Sequence, residues 1–273
     1  MSGSTRRPCH TALRHAFSLA LGVAALFAQA AGKESCPLLV ASGNPEYPPF
    51  LWRDPADDKR LIGANAELMQ KLSEAIGIPI SVRYVGPWGR VQEETRQGNV
   101  DLIAGAFFTL PRLEYMDYFQ PPIHTTRTVI WTQSSRSIDY RKWADLKPLK
   151  GLTVINNSFG EAFDRYAQRN LQIDKVASVE SALKMLGLAR ADYVIYEEAP
   201  GLAYAAKLNV KGLKAASVPI SNEDLFLTMS HRSACNTGSL RGKIAQVMHR
   251  FREEKVMEGL VEKYIQLWRN SPR

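Results

Sequence analysis

Residues 100–119 read Val-Asp-Leu-Ile-Ala-Gly-Ala-Phe-Phe-Thr-Leu-Pro-Arg-Leu-Glu-Tyr-Met-Asp-Tyr-Phe. Val100 to Ala104 is a short apolar run that suits a buried strand, and the small residues Ala104, Gly105 and Ala106 after it read as a turn. Arg112 follows Thr109 by three positions. Its guanidinium therefore stands at the end of a strand, where a planar fork can grip an anion. Working back toward the N-terminus, Gly98 closes a helix over Arg90 to Gln97, and Gly86-Pro87-Trp88-Gly89 breaks the chain before it. Ile80, Val82 and Tyr84 alternate with Ser81 and Arg83 as a half-buried strand does. Leu68, Met69, Leu72 and Ile76 recur at helical spacing after Gly63, with Gly77 placed as a C-terminal cap. Leu38 to Ala41 is another apolar run, ended by Ser42-Gly43-Asn44-Pro45. Strands that alternate with helices in this way imply parallel pairing with crossover helices.

A similar cycle begins after Trp143-Ala144-Asp145-Leu146-Lys147. Leu152 to Ile155 reads as a strand, Gly160 to Arg169 as a helix, Ser178 to Ala189 as a helix with a Ser cap, and Tyr193 to Tyr196 as a strand. This predicts a second α/β lobe over residues 128–221. The chain then returns through Pro219-Ile220-Ser221, adds a strand over Leu225 to Met229 and ends in helices. Their stripe of Ile244, Val247, Phe251, Leu260, Val261 and Tyr264 is read as packing.

The first thirty residues hold Arg6, Arg7 and Arg14 and no acid, then an apolar run to Phe27 and Ala28-Gln29-Ala30. The pattern predicts a secretory signal peptide over residues 1–30, because the apolar run is shorter than the ~20 residues a spanning helix needs. Export to the periplasm follows. Cleavage would remove Cys9 and leave Cys36 and Cys235 in an oxidising compartment, where they are expected to form a disulfide. The formal charge is +8, from 35 basic and 27 acidic residues, and three of the basic residues belong to the leader. With no basic block or interleaved aromatic motif, nucleic acid is not an expected partner. His124, His231 and His249 lack ligand spacing, so no metal is expected. Ser181 and Lys184 match S-x-x-K by chance inside an amphipathic helix, and no phosphate-binding glycine loop exists. No cofactor and no catalytic residue is assigned.

Taken in order, Asn44-Pro-Glu-Tyr-Pro-Pro-Phe50, the helix after Gly63, Val100 to Gly105 and Thr109 to Phe119 resemble the family 3 extracellular solute-binding proteins, the periplasmic amino-acid-binding components of ABC importers. The resemblance implies a two-lobed periplasmic-binding-protein-like α/β fold. Residues 31–127 and 222–273 would form a discontinuous first lobe, residues 128–221 the second, with a two-strand hinge and a ligand cleft between them. It implies capture of an amino acid or related small carboxylate, delivery to an inner-membrane ABC permease, a monomeric state and no enzymatic role. By the same resemblance Arg112, with Thr109 and the backbone at Phe107, clamps the ligand's α-carboxylate. The Asn156-Asn157-Ser158-Phe159-Gly160 turn opens a helix whose free N–H groups would form a second anion cradle. Glu197 stands five residues after Asp192, where the family usually has an Asp for the α-amine, so the acid is kept on a longer stem. Asn44 stands where some relatives carry an acid, which argues against arginine and lysine as ligands. Tyr47 and Trp88, and less strongly Phe50 and Trp52, would wall an apolar slot. Two further readings stay open: an exported enzyme of the same fold resembling cyclohexadienyl dehydratase, with Glu197 or Glu198 as general acid, and a soluble accessory to a sensor or redox pathway.

Overall fold

A computed structural model describes residue 3 and residues 36–208 and 210–271. The signal peptide over residues 1–30 lies outside the described residues. The chain enters as strand β1 (Leu39–Ser42), followed by a small antiparallel sheet of β2 (Glu46–Tyr47), β3 (Leu51–Asp54) and β4 (Asp57–Ile62). Helix α1 (Ala64–Ile76), β5 (Ile80–Val82), α2 (Trp88–Gln97) and β6 (Leu102–Phe107) come next. Strands β5 and β6 flank β1, both parallel to it, as strands joined through crossover helices do. Helix α1 buries Leu68, Met69, Leu72 and Ile76. It ends where Gly77 takes φ 72° and donates its N–H to the carbonyl of Ser73, a left-handed cap that costs glycine little.

After a 3₁₀ turn over Leu110–Glu114 come β7 (Met116–Tyr118) and the long strand β8 (His124–Gln133). The second half supplies β9 (Lys150–Val154), α3 (Glu161–Asn170), β10 (Gln172–Val176), α4 (Val179–Gly187), β11 (Tyr193–Glu197), α5 (Glu198–Leu208) and β12 (Leu213–Ala215). The chain returns on β13 (Ser221–Ser230) and closes with α6 (Gly238–Glu253) and α7 (Val256–Asn270). The large sheet runs β10-β9-β11-β8-β13-β6-β1-β5, with β12 added to β8 and β7 to β13.

This sheet belongs to two lobes. One core gathers Leu39, Leu68, Leu72, Leu102, Ile123, Leu225, Leu227, Ile244 and Phe251 under α1, α6 and α7. The other half buries Val129, Trp131, Leu152, Leu183 and Val194 on one sheet face and Ile130, Phe163, Tyr193 and Ile195 on the opposite face. Strands β8 and β13 serve both halves. They pair antiparallel from Ser221 opposite Thr128 to Leu225 opposite His124, so the chain crosses between cores twice, side by side. Among the described residues no helix is long and apolar enough to cross a membrane.

Cys36 and Cys235 form a disulfide with a Cα–Cα distance of 5.1 Å and a sequence separation of 199. It ties the segment before β1 to the segment after β13, both on the first core. Closing so long a loop removes chain entropy worth roughly 5 kcal/mol in the loop-closure account, and measured losses on removing such bridges run to about 2–5 kcal/mol.

Candidate functional site

The bottom of the interlobe cleft is built on β6. The expected turn at Ala104 to Ala106 is instead strand: β6 continues to Phe107, with its register against β13 shifting between Phe226 and Leu227. Gly105 is the extra residue. It sits at φ 116°, and a Cβ there would stand 2.8 Å from Asn65 Nδ2, so glycine is what a bulge at this point requires. Asn65, buried on the inner face of α1, donates from Nδ2 to the carbonyl of Ala104 at 2.6 Å. Sequence reasoning missed it, although an Asn among the apolar residues of a helix face was a usable signal.

Beyond the strand, the 3₁₀ turn swings Arg112 back toward the cleft. Its N–H meets the carbonyl of Thr109 at 3.1 Å, and its Nη1 donates to the carbonyl of Phe107 at 2.8 Å. The Phe107 carbonyl also accepts from the Tyr118 hydroxyl at 2.9 Å, so that backbone group serves the protein rather than a ligand. The guanidinium lies 5.2 Å from the Trp88 ring centre, a cation–π contact. Arg112 is only 5% exposed. Among the described residues it forms no ion pair, and Asp117, one neighbour that could have held it, turns to His231 at 3.3 Å.

Arg112 lines a cavity of about 30 Å³ with Asn44, Tyr47, Trp88, Phe107, Asn157, Ser158 and Glu197. Ala104, Gly105, Ala106 and Leu225 complete it, and none of these four was expected as a site residue. Thr109 and Phe159 fall outside this cavity and border the groove next to it. Thr109 is buried at the start of the 3₁₀ turn, and the Phe159 ring packs on Phe163 in the second lobe's core. Phe50 and Trp52 do not wall the cavity either. Phe50 is core against Tyr47 and His124, and Trp52 meets Tyr264 and Trp268 edge-on.

The second-lobe turn also differs from expectation. Part of its N–H set is taken within the lobe: Asn157 donates to the carbonyl of Val154 at 3.2 Å, and Phe159 to Asp164 Oδ1 at 2.9 Å. The Ser158 hydroxyl donates to Asp164 Oδ2 and accepts from the Gly160 N–H at 3.4 Å. Asp164, in the first turns of α3, reaches back as a capping carboxylate for the Ser158 hydroxyl and the Phe159 N–H. Burial pushes its carboxyl above the usual range, against the pull of Ser158, the Phe159 N–H and Arg112. Asn157 and Ser158 line the cavity from this turn, and Asn157 Nδ2 is buried with no partner.

Glu197 ends β11 and is 4% exposed, whereas its neighbour Glu198 pairs with Arg127 at 2.8 Å. Glu197 is the last residue of the strand and Glu198 the first of α5, so the change from strand to helix separates the two side chains. Burial pushes the Glu197 carboxyl up to about 7, opposed by its own backbone N–H and by the charge of Arg112. Its Oε2 and the Tyr47 hydroxyl are both buried without partners. Burial, then the nearness of Glu197, raises the Tyr47 hydroxyl well above its ordinary value. In the sheet, Glu197 lies opposite Thr128 of β8, so this acid sits at the crossing between lobes.

The lobes touch around the cavity. Trp88 Nε1 donates to the carbonyl of Asn156 at 3.1 Å, the Tyr196 hydroxyl to the carbonyl of Glu46 at 2.7 Å, and the Val179 N–H to Glu46 Oε2 at 3.3 Å. Asn44 Oδ1 is occupied by the N–H of Glu46 at 3.0 Å. No group of three acidic, His or Cys side chains suited to a metal occurs among the described residues.

Residues 39–267 match the bacterial extracellular solute-binding proteins, family 3. The chain belongs to that family. No curated protein matches it. Among solved structures it is similar to an amino acid ABC transporter substrate-binding protein of Streptococcus pneumoniae bound to L-arginine, at 18% identity and a TM-score of 0.71, over 86% of this chain and 97% of that one. A binding component of an ABC transporter from Wolinella succinogenes complexed with lysine gives 15% identity and a TM-score of 0.70, over 84% and 96%. A histidine kinase sensor domain with similarity to periplasmic binding proteins gives 19% and 0.69, over 83% and 95%. At these identities the likeness is one of fold, and the site must be argued from this chain's own residues.

Proposed function

We propose that this solute-binding protein captures a small carboxylate, an amino acid foremost, between its lobes and delivers it to an inner-membrane ABC permease. The observation that carries the reading is Arg112: a guanidinium 5% exposed, without an acidic partner among the described residues, that lines an interlobe cavity. A buried cation costs several kcal/mol unless it is paired, and a ligand carboxylate is the partner that would relieve it. Asn157 Nδ2 supplies a second donor, and Glu197 with Tyr47 supplies acceptors on the far wall for an α-amine. Glu197 is the only acidic residue of the cavity lining among the described residues. A cationic side chain would therefore lack a counter-charge of its own, which disfavours arginine and lysine here even though similar folds bind them. Residues 1–30 act as an export signal in this reading, the mature chain is a periplasmic monomer, and residues 128–221 move as the second lobe against 36–127 and 222–273 on the β8 and β13 crossing.

Isothermal titration with a panel of amino acids and dicarboxylates tests the proposal. Micromolar or tighter binding of at least one carboxylate, lost in Arg112→Ala, is the expected result, and silence across the panel sinks it. Glu197 favours one second reading. A buried carboxyl that keeps its proton near neutral pH is what acid-assisted loss of a hydroxyl needs, so a cyclohexadienyl dehydratase-like activity is tested by adding prephenate and following phenylpyruvate absorbance.

A further inference from the structure

We infer that the ligand is longer than the cavity at Arg112 and carries a second anionic group, which lies along a basic groove between the lobes. The inference rests on the carboxylate reading above and specifies the ligand's class. At about 30 Å³ the cavity holds about two waters. That leaves no room for a side chain beyond the head of an amino acid. Directly beside it, sharing Arg112, Asn157 and Ser158, runs a groove of about 590 Å³, inside the roughly 300–1,000 Å³ span of small-molecule sites. With the lobes in contact through Trp88 and Asn156, this groove is open to a ligand anchored on Arg112.

The chemistry of the groove selects what extends. Arg96 from α2, Arg165 from α3 and Lys175 from β10 stand along it, against the acids Glu161 and Asp164. Asp164 is consumed by the turn it caps, and Glu161 meets Arg165 only loosely, at 3.8 Å. Arg96 bridges Glu93 at 3.0 Å from the groove's outer edge. The balance is a basic lip on both lobes, so a negative group held there would also draw the lobes together. Thr109, Thr153, Gln92 and Gln168 also line it, as neutral hydrogen-bonding groups.

The test is a titration of the full chain with two probes that share the α-amino acid head and a straight side chain. L-2-aminopimelate ends in a carboxylate, and L-norleucine ends in a methyl. Aminopimelate should bind about tenfold tighter, since three exposed cations each contribute modestly, and that advantage should shrink as salt is raised. The triple variant Arg96→Ala/Arg165→Ala/Lys175→Ala should erase the advantage while leaving norleucine affinity and the melting temperature unchanged. Equal affinity for the two probes, or an advantage that survives the triple variant, overturns the basic groove and leaves the proposed capture of a carboxylate standing. Binding of neither probe, nor of any amino acid in the wider panel, overturns both.

Discussion

Two turns in this molecule present positive potential near the cleft, and the fold answers them differently. The second-lobe turn at residues 156–160 has a helix N-terminus, and Asp164 of the same helix already takes its Phe159 N–H and Ser158 hydroxyl. The first-lobe turn at Arg112 has a full positive charge, one backbone carbonyl and one aromatic face, and no acid of its own. The lesson is that an anion site is recognised by the charge that folding leaves unanswered. Free N–H groups at a helix start are common and are usually satisfied a few residues downstream. A buried guanidinium without a carboxylate is rare, because its cost must be met by something the fold does not contain.

The comparison breaks most decisively at Arg112. Arg112→Ala should weaken carboxylate binding by about 10- to 150-fold, from a charge-assisted hydrogen bond worth roughly 1.5–3 kcal/mol. Calorimetric titration reads this. The unliganded melting temperature should stay the same or rise, since an unpaired charge leaves the interior; a marked fall would mean that Arg112 is a structural residue.

Glu197 gives the next largest effect, in the pH dependence of the unliganded protein. Its folded carboxyl is raised from 4.5 to about 7, so the stability it contributes is present below pH 4.5 and is lost as pH rises through about 7. The span corresponds to roughly 3 kcal/mol. Urea midpoints measured across that range should decline for the wild type and decline less for Glu197→Gln. Parallel slopes would show that Glu197 titrates like an exposed acid. Because an arriving ammonium favours the ionised carboxyl, binding of an amino acid should release a proton below pH 7 and tighten as pH rises.

Asp164→Ala sharpens the contrast on the other side. It leaves the Phe159 N–H and the Ser158 hydroxyl without their acceptor and should cost about 1–2 kcal/mol in stability by denaturant titration, as the loss of a cap does. Carboxylate affinity should change little. A rise of tenfold or more would reveal that Asp164 occupies a ligand position and competes for it. The smallest effect belongs to Trp88→Phe, which keeps the ring beside Arg112 but removes the donor to Asn156. About 1 kcal/mol of lobe contact should go with it, read as a faster ligand off-rate by stopped-flow.

Strands β1, β6, β9 and β11 were legible because each is an apolar run buried on both faces, and α1 because its apolar period and Gly77 cap agree. Other elements left no such trace. Strand β4 is Asp-Asp-Lys-Arg-Leu-Ile and β10 is Gln-Ile-Asp-Lys-Val, both largely exposed, so neither shows the alternation of a half-buried strand. Helix α5 carries Pro200 and Gly201, which read as breakers. Proline is tolerated there because it lies in the first turn, where an N–H has no helical partner.

At the site, Arg112, Trp88, Tyr47 and Asn157 could be named in advance because their residue types and order along the chain carried the information. The capping of the second turn by Asp164, the bulge at Gly105 and the choice of Glu197 over Glu198 could not. Each depends on where a side chain points once the lobes have packed.

The amino-acid sequence determined the order of strands and helices, the presence of two lobes and the pair of cysteines, because periodicity and breakers act over a few residues. Only the tertiary structure decided which charges were left without a partner. Pairing is a matter of distances between segments as far apart as positions 112 and 197, and burial, which sets the strength of every such contact, is a property of the folded whole.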